Sequence, residues 1–172
     1  MDVLKINSDA LQGAIAASLN ALLEDAFRHP LEPSQIERPK AAFRLLAMDE
    51  GKTVIAHLAA YERNVTIGDH NCSIGMLGGI AVALEHRRRG LCKKLVAAAH
   101  SSFRERQLPY SILFACNPKV YRSSGYHLMR NEMFFLDEDG HWKTYVFRGS
   151  MFCELDDRRW PDQKIDLNGP VV

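Results

Sequence analysis

Apolar and polar positions divide the chain into a helix, a run of strands, a second helix and a further run of strands. Val3 to Ile6 reads as a short first strand. Asp9, with Gln12 three residues on, reads as an N-cap; the helix it opens carries its apolar face through Ala10, Leu11, Ile15, Leu19, Leu22, Leu23, Ala26 and Phe27. Pro30, Pro33 and Pro39 end that helix, and residues 29–40 read as a loop, which either shapes a ligand entrance or simply connects. From Ala42 the period changes. Phe43 to Met48, Val54 to Tyr61 and Cys72 to Ala83 alternate as strands, joined by turns at Asp49-Glu50-Gly51-Lys52 and Gly68-Asp69-His70-Asn71, which predicts an antiparallel meander. Leu91, Leu95, Ala98, Ala99, Ser102 and Phe103 return to helical spacing as far as Arg106, and Tyr110 to Ala115 is again a strand. A strand, a crossover helix and a strand make a parallel pair, and ligands of open α/β sheets bind at the carboxyl end of such strands. Pro118 suits the start of a short helix and Gly125 its stop; Tyr126 to Leu136 and Trp142 to Phe147 read as strands around Asp137-Glu138-Asp139-Gly140. The segment 149–172 reads as mixed and polar, broken at Trp160-Pro161 and Asn168-Gly169-Pro170.

Composition narrows this picture. With 172 residues, 47% of them hydrophobic, the chain supports one sizeable core and is expected to form a single domain over 1–172. Net charge is +1, so a basic cluster is local rather than part of a polycation, which argues against a nucleic-acid partner. Cys72, Cys92, Cys116 and Cys153 form no C-x-x-C pair, so neither a zinc site nor a disulfide framework is expected, and no metal is implied. The start of the chain lacks the basic-then-apolar pattern of a targeting segment, and no stretch approaches a membrane span. A cytoplasmic protein with no membrane partner is expected.

The basic cluster lies in Leu77 to Lys94. There an apolar strand gives way to Arg87-Arg88-Arg89-Gly90-Leu91-Cys92-Lys93-Lys94 and then to a helix. The first N–H groups of a helix have no internal partner and carry the positive end of its dipole, so this turn can act as an anion cradle. A solvated basic surface is the plainer alternative. A P-loop is excluded because G-x-x-x-x-G-K-[ST] is absent, and Gly75, Gly78 and Gly79 lie within or before the strand, too early for a dinucleotide turn.

Two motifs carry a family resemblance. Arg87-Arg88-Arg89-Gly90-Leu91-Cys92 resembles the acyl-CoA signature of the GCN5-related N-acetyltransferases, with Cys92 where the family has Gly or Ala. Tyr121-Arg122-Ser123-Ser124-Gly125-Tyr126 resembles that family's second motif, a tyrosine shortly before Gly and an aromatic. The likeness spans about Thr53 to Leu128. It implies an α/β (α+β) fold: a mixed, mostly antiparallel sheet, flanked by helices and splayed around acetyl-CoA between the strands ending near Ala83 and Ala115. It further implies that the backbone of Ile80, Ala81 and Val82 pairs with the pantetheine arm, that Arg87, Arg88, Arg89, Gly90, Leu91, Cys92 and Lys93 hold the pyrophosphate, and that Asn117 and Tyr121 complete the cofactor site. Asn117 before Pro118 also suits an ordinary cap. Gly78-Gly79 within a strand suggests a bulge, which in the family presents backbone to the thioester.

The expected reaction moves an acetyl group to a primary amine of a small molecule by direct attack in a ternary complex. Acyl transfer requires an uncharged amine, donors for the oxyanion and support for the leaving thiolate. Backbone N–H groups of residues 80–82 suit the second, and Tyr121 the third. A phenol of pKa about 10 protonating a thiolate of about 8.5 is uphill by roughly 2 kcal/mol, so a tightening hydrogen bond serves better than full transfer. The base is missing from its usual place: many family members have a glutamate where this chain has Leu77, Gly78 and Gly79. Deprotonating a lysine-like ammonium at pH 7 costs about 4.6 kcal/mol, within reach of a water relay to a remoter group. His57, Glu62, His70 and Asp137 are the candidates, while a covalent route through Cys116 or Cys153 lacks a paired base. Trp160 and the segment beyond it are loosely similar to the aminoglycoside 2'-N-acetyltransferase and nodulation N-acyltransferase branch, which offers an aminoglycoside or a longer acyl chain as alternatives. An inactive acyl-CoA-binding sensor is the alternative of another class, and homodimers occur in the family.

Overall fold

Strands β2 (Phe43–Met48), β3 (Val54–Ile67) and β4 (His70–Val82) follow one another antiparallel, as the alternation predicts. The computed structural model describes residues 2–27, 36–146 and 149–172, without the side chain of Tyr145; most of the predicted 29–40 loop, and Phe147, lie outside the described residues. β3 and β4 are longer than the sequence suggests, because Glu62 to Ile67 and His70 to Asn71 continue the ladder to a tight turn, with Val65 and Ile67 buried among polar neighbours. Strand β1 (Val3–Ile6) pairs with β2. Helix α1 (Gly13–Phe27) starts later than predicted: Ser8–Ala10 forms a 3-10 turn, and Asp9 caps nothing.

Helix α2 (Leu91–Glu105) crosses from β4 to β5 (Tyr110–Phe114), and these two strands are parallel. α2 lays Leu91, Leu95, Val96, Ala99 and Phe103 on one face of the sheet, against Phe43, Leu45, Leu58 and Leu77. On the opposite face α1 buries Leu19 and Leu22 against Leu46, Val54 and Ala81. Further along that second face a separate cluster gathers Val65, Ile74, Met76, Ile112, Met133, Phe135 and Ile165.

The last third departs from the sequence reading. Tyr126 to Leu136 is two strands, β6 (His127–Leu128) and β7 (Met133–Leu136), and β8 (Trp142–Tyr145) pairs with β7. The segment read as mixed supplies β9 (Ser150–Glu154), which inserts between β5 and β6, and β10 (Ile165–Pro170), which lies between β3 and β7. One sheet of ten strands results among the described residues, ordered β6-β9-β5-β4-β3-β10-β7-β8, with β2 and β1 continuing beside the first half of β3. Most pairings are antiparallel; β4 with β5 and β10 with β7 are parallel.

Candidate active site

The site begins where two strands separate. β4 and β5 pair at Gly75–Ser111, Met76–Ile112 and Leu77–Leu113, and no further. β4 runs on to Val82 with its other edge still bonded to β3, so its free edge opens toward the gap. The Ala83 N–H donates to Ile55 O at 2.9 Å, which by the alternation of an antiparallel ladder turns the N–H and carbonyl of Val82 to the open side. Arg87 Nε donates to that carbonyl at 3.0 Å.

A bulge aims this free edge. His57 faces Ala81 and Ala59 faces Gly78, so Gly79 and Ile80 together oppose Leu58. Gly79 adopts φ of +55°, a left-handed conformation that glycine reaches without a Cβ penalty. His57 holds the bulge from beneath: one ring nitrogen, Nδ1, lies 2.7 Å from Gly79 O and the other, Nε2, 3.0 Å from Arg44 Nη1. Guanidinium can only donate and a carbonyl can only accept, so the ring is neutral, with its proton on Nδ1. Burial lowers the His57 pKa to about 4, opposed by the bond to Gly79 and aided by the Arg44 charge.

The cradle sits at the start of α2. Gly90 is its N-cap with φ of +78°, and a Cβ added there would meet nothing within 4 Å. Arg88, Arg89 and Lys93 are exposed around it. Among the described residues none of the three has a carboxylate partner within ion-pair range. Leu91 is a core residue, so only its backbone can face a ligand; Cys92 is half-buried, and burial pushes its thiol pKa up. Ala81 likewise points into the α1 cluster, whereas Ile80 and Val82 are partly open.

Across the gap, Pro118–Val120 and Arg122–Ser124 are 3-10 turns rather than one helix, and Gly125 ends the second in the left-handed region. Asn117 Oδ1 caps the first by accepting from Lys119 N–H at 3.3 Å, which leaves its amide nitrogen free for a ligand. Tyr121 is half-buried. Burial raises its phenol pKa well above the ordinary value, with Cys92 and Cys116 nearby adding to the shift. Tyr126 anchors the motif: its hydroxyl lies 2.6 Å from Ser111 Oγ and 3.0 Å from His100 Nε2, and its ring meets Tyr121 edge-on at 6.2 Å. His100, on α2, has its pKa lowered to about 4 by burial, with Arg104 contributing.

The four base candidates scatter. Glu62 lies on the α2 face and is paired with Arg106. His70 is at the hairpin turn, eight residues along β4 from Gly78 and hence about 26 Å away at strand rise. Asp137 is bonded to Lys143, which holds its carboxyl below the ordinary range. His57 is fully buried with both nitrogens engaged. Cys153 is buried with a raised thiol pKa, so the covalent route gains no activated nucleophile there.

Arg44 and Tyr61 were passed over in the sequence. Register brings them beside His57 on the face opposite α2: Arg44 faces Ala59, Leu46 faces His57, and the Tyr61 ring passes within 3.3 Å of where a Cβ on Gly78 would stand. Val172 closes the other side of Gly78, also at 3.3 Å. It adjoins a cavity of about 270 Å³ lined in part by Arg38, Phe135, Asp137, Glu138 and Pro170. Arg44 as the one charged residue of β2, and His57 and Tyr61 four apart on one face of β3 in otherwise apolar stretches, were the available signal.

A family model described as Acetyltransferase (GNAT) domain matches residues 9–129. The chain belongs to this family. Among solved structures, the GNAT domain resembles a GNAT family N-acetyltransferase (YhbS) from Escherichia coli in complex with CoA: 16% identity over 96% of this chain and 88% of that one, TM-score 0.68. A GNAT family acetyltransferase from Brucella melitensis in complex with acetyl-CoA is 17% identical over 95% and 94%, TM-score 0.58. Eis1 from Mycobacterium abscessus is 21% identical over 77% of this chain, which spans only 32% of that larger protein, TM-score 0.59. No curated protein matches. At these identities the structures establish the fold, and family membership places the GNAT domain among acyl-CoA-dependent acyltransferases. Among the described residues no helix is long and apolar enough to cross a membrane, and no group of acidic, histidine or cysteine residues is arranged to hold a metal.

Proposed function

We propose that the protein transfers an acetyl group from acetyl-CoA to a primary amine of a small molecule, by direct attack in a ternary complex within a single domain. The observation that carries this reading is the separation of β4 from β5 beyond Leu77 and Leu113, which leaves the bulged edge from Gly78 to Val82 without a strand partner on that side. The residues present fit acetyl-CoA. The open space over Gly90, the exposed Arg88, Arg89 and Lys93, and the helix start behind them suit a pyrophosphate. The free edge at Ile80 and Val82 suits the amides of a pantetheine arm, and Asn117 can add a donor from its amide nitrogen.

Acetyl-CoA supplies an activated thioester carbonyl and a thiolate leaving group. The protein's share is positional. On the open edge the backbone N–H groups of Ile80 and Val82 are the candidate donors to the carbonyl oxygen, that of Ala81 being turned toward β3, and His57 fixes the bulge that aims them. Tyr121 keeps its proton at every physiological pH because burial disfavours the phenolate, so it acts as a hydrogen-bond donor toward the thiolate rather than as a full acid. Among the described residues no aspartate or glutamate lies on β4 between Leu77 and Val82, and the backbone carbon of Val172 stands beside Gly78. With no acidic side chain there, the amine enters neutral or passes its proton through water, at the cost of about 4.6 kcal/mol for a lysine-like group and less for a weaker base.

That same lack favours one competing reading, a CoA-binding module without catalysis. Calorimetric titration of acetyl-CoA, followed by an amine screen that monitors free thiol, separates the two. Micromolar binding with thiol release upheld by an acetylated product is the expected result. Binding without release from any amine supports the sensor, and no binding overturns both.

A further inference from the structure

Arg44 is the anomaly of the acceptor face. The residue is half-buried, yet its one hydrogen-bond partner among the described residues is a neutral imidazole, through Nη1. Among the described residues no carboxylate lies within ion-pair range of it, although Arg38, whose charge also reaches Tyr61, pairs with Glu138 at 2.7 Å. A guanidinium on a partly covered face without a counter-charge is a natural partner for an anion. Two further features aim the group. His57 ties Nη1, so the remaining fork of Nε and Nη2 is presented as a pair with the planar geometry that a carboxylate accepts. The same imidazole joins Arg44 to the bulge: two hydrogen bonds and the width of a ring place Nη1 within about 8 Å of Gly79 O. Tyr61 lines the same space. Its phenol feels the charges of both Arg44 and Arg38, and its ring edge lies against Gly78.

Resting on the acetyl-transfer reading above, we infer that the acceptor is an amino acid, its carboxylate docked on Arg44 and its amine, one or two carbons away, presented at the bulge where Gly79 is exposed. The guanidinium, within about 8 Å of Gly79 O through the His57 ring, leaves room for a carboxylate, a short carbon linkage and an attacking nitrogen in sequence. One free guanidinium fork balances the single charge of a carboxylate; a phosphate monoester would call for a second cation, and Arg38, whose charge also reaches Tyr61, already has Glu138. Polycationic amines are the class this face disfavours, since Arg44 repels them.

The test compares acetyl transfer, by thiol release, to the common amino acids and to their carboxamides. The expected wild-type result is a kcat/KM at least about tenfold higher for the carboxylate of the preferred pair. In Arg44→Gln the ratio falls to near one, chiefly through KM, while Arg44→Lys keeps part of it. Carboxamides used as well as carboxylates, or an undiminished preference in Arg44→Gln, overturns the inference. If no amine releases thiol, the acetyl-transfer reading falls separately. N-acetyl amino acids and their carboxamides, titrated into the CoA-saturated protein by calorimetry, then decide the docking claim alone: tighter carboxylate binding that Arg44→Gln abolishes sustains it, and equal binding ends it.

Discussion

His57 has a measurable signature. Its pKa of about 4 in the fold, against about 6.5 in the unfolded chain, means that the unfolded state takes up a proton first as pH falls. The stability it contributes is full above pH 6.5 and is lost progressively as pH drops toward 4. For one such group the loss between pH 7 and 4.5 is about 2 kcal/mol. His100, with the same lowered value, adds a second increment of similar sign. Urea unfolding at the two pH values should therefore show His57→Gln losing less stability on acidification than the wild type, by about 2 kcal/mol. Equal acid sensitivity would mean that His57 is not held neutral. Tyr121 is the other residue whose role rests on burial. With its phenol pKa raised, it gives a hydrogen bond, and Tyr121→Phe is expected to lower kcat by about tenfold to a hundredfold, the range of a lost transition-state donor. The acetyl-CoA dissociation constant, measured by calorimetry, should stay within about twofold; a parallel loss of affinity would assign Tyr121 to binding instead.

Elements were legible in proportion to how local their signals are. The turn from Arg87 to Cys92 and the helix after it sit within a few residues of one another, and the structure keeps them together as read. β9 and β10 were not legible, because what makes them strands is distant. In β10, Asn168 and Gly169 take positive φ, which reads as a turn, yet Arg63 from β3 donates to Leu167 O and Pro170 O at 2.9 Å each and replaces ladder bonds that the local chain cannot make. The acceptor face failed the same way: Arg44, His57 and Tyr61 meet only through the register of β2 with β3. For the cradle, the open space above Gly90 gives a clean expectation. Gly90→Val meets no clash, so its stability cost is the left-handed strain of about 1–2 kcal/mol, while its side chain occupies the space proposed for the pyrophosphate. Acetyl-CoA affinity should fall by at least about tenfold, a loss equal to roughly 1.4 kcal/mol of binding energy. Unchanged affinity with the same loss of stability would move the phosphate site elsewhere.

At the scale of the molecule, the gap between β4 and β5 requires that each strand be held from its far side. β3 holds β4, and β9 holds β5 through a five-residue register from Tyr110–Glu154 to Phe114–Ser150. β9 is in turn fixed by Trp160. The indole stacks on Phe152 at 4.8 Å and meets Tyr110 edge-on at 5.1 Å, and its Nε1 donates to Asn131 Oδ1 at 2.8 Å. Asn131 spends its own amide on Pro161 O and Gln163 O, so one side chain ties β7's approach to the connection that leads into β10. Trp160→Ala removes the stacked ring and leaves the Asn131 carbonyl without its donor. A cost of about 3–5 kcal/mol is expected from the lost aromatic packing, much of the stability of a typical domain. Urea unfolding gives the size, and acetyl-CoA calorimetry gives the meaning. If the far-side support of β5 sets the gap, affinity falls along with stability even at pH and temperature where the variant is fully folded. A variant that is weaker yet binds acetyl-CoA as tightly as the wild type would show that the gap is set by the β3–β4 bulge alone.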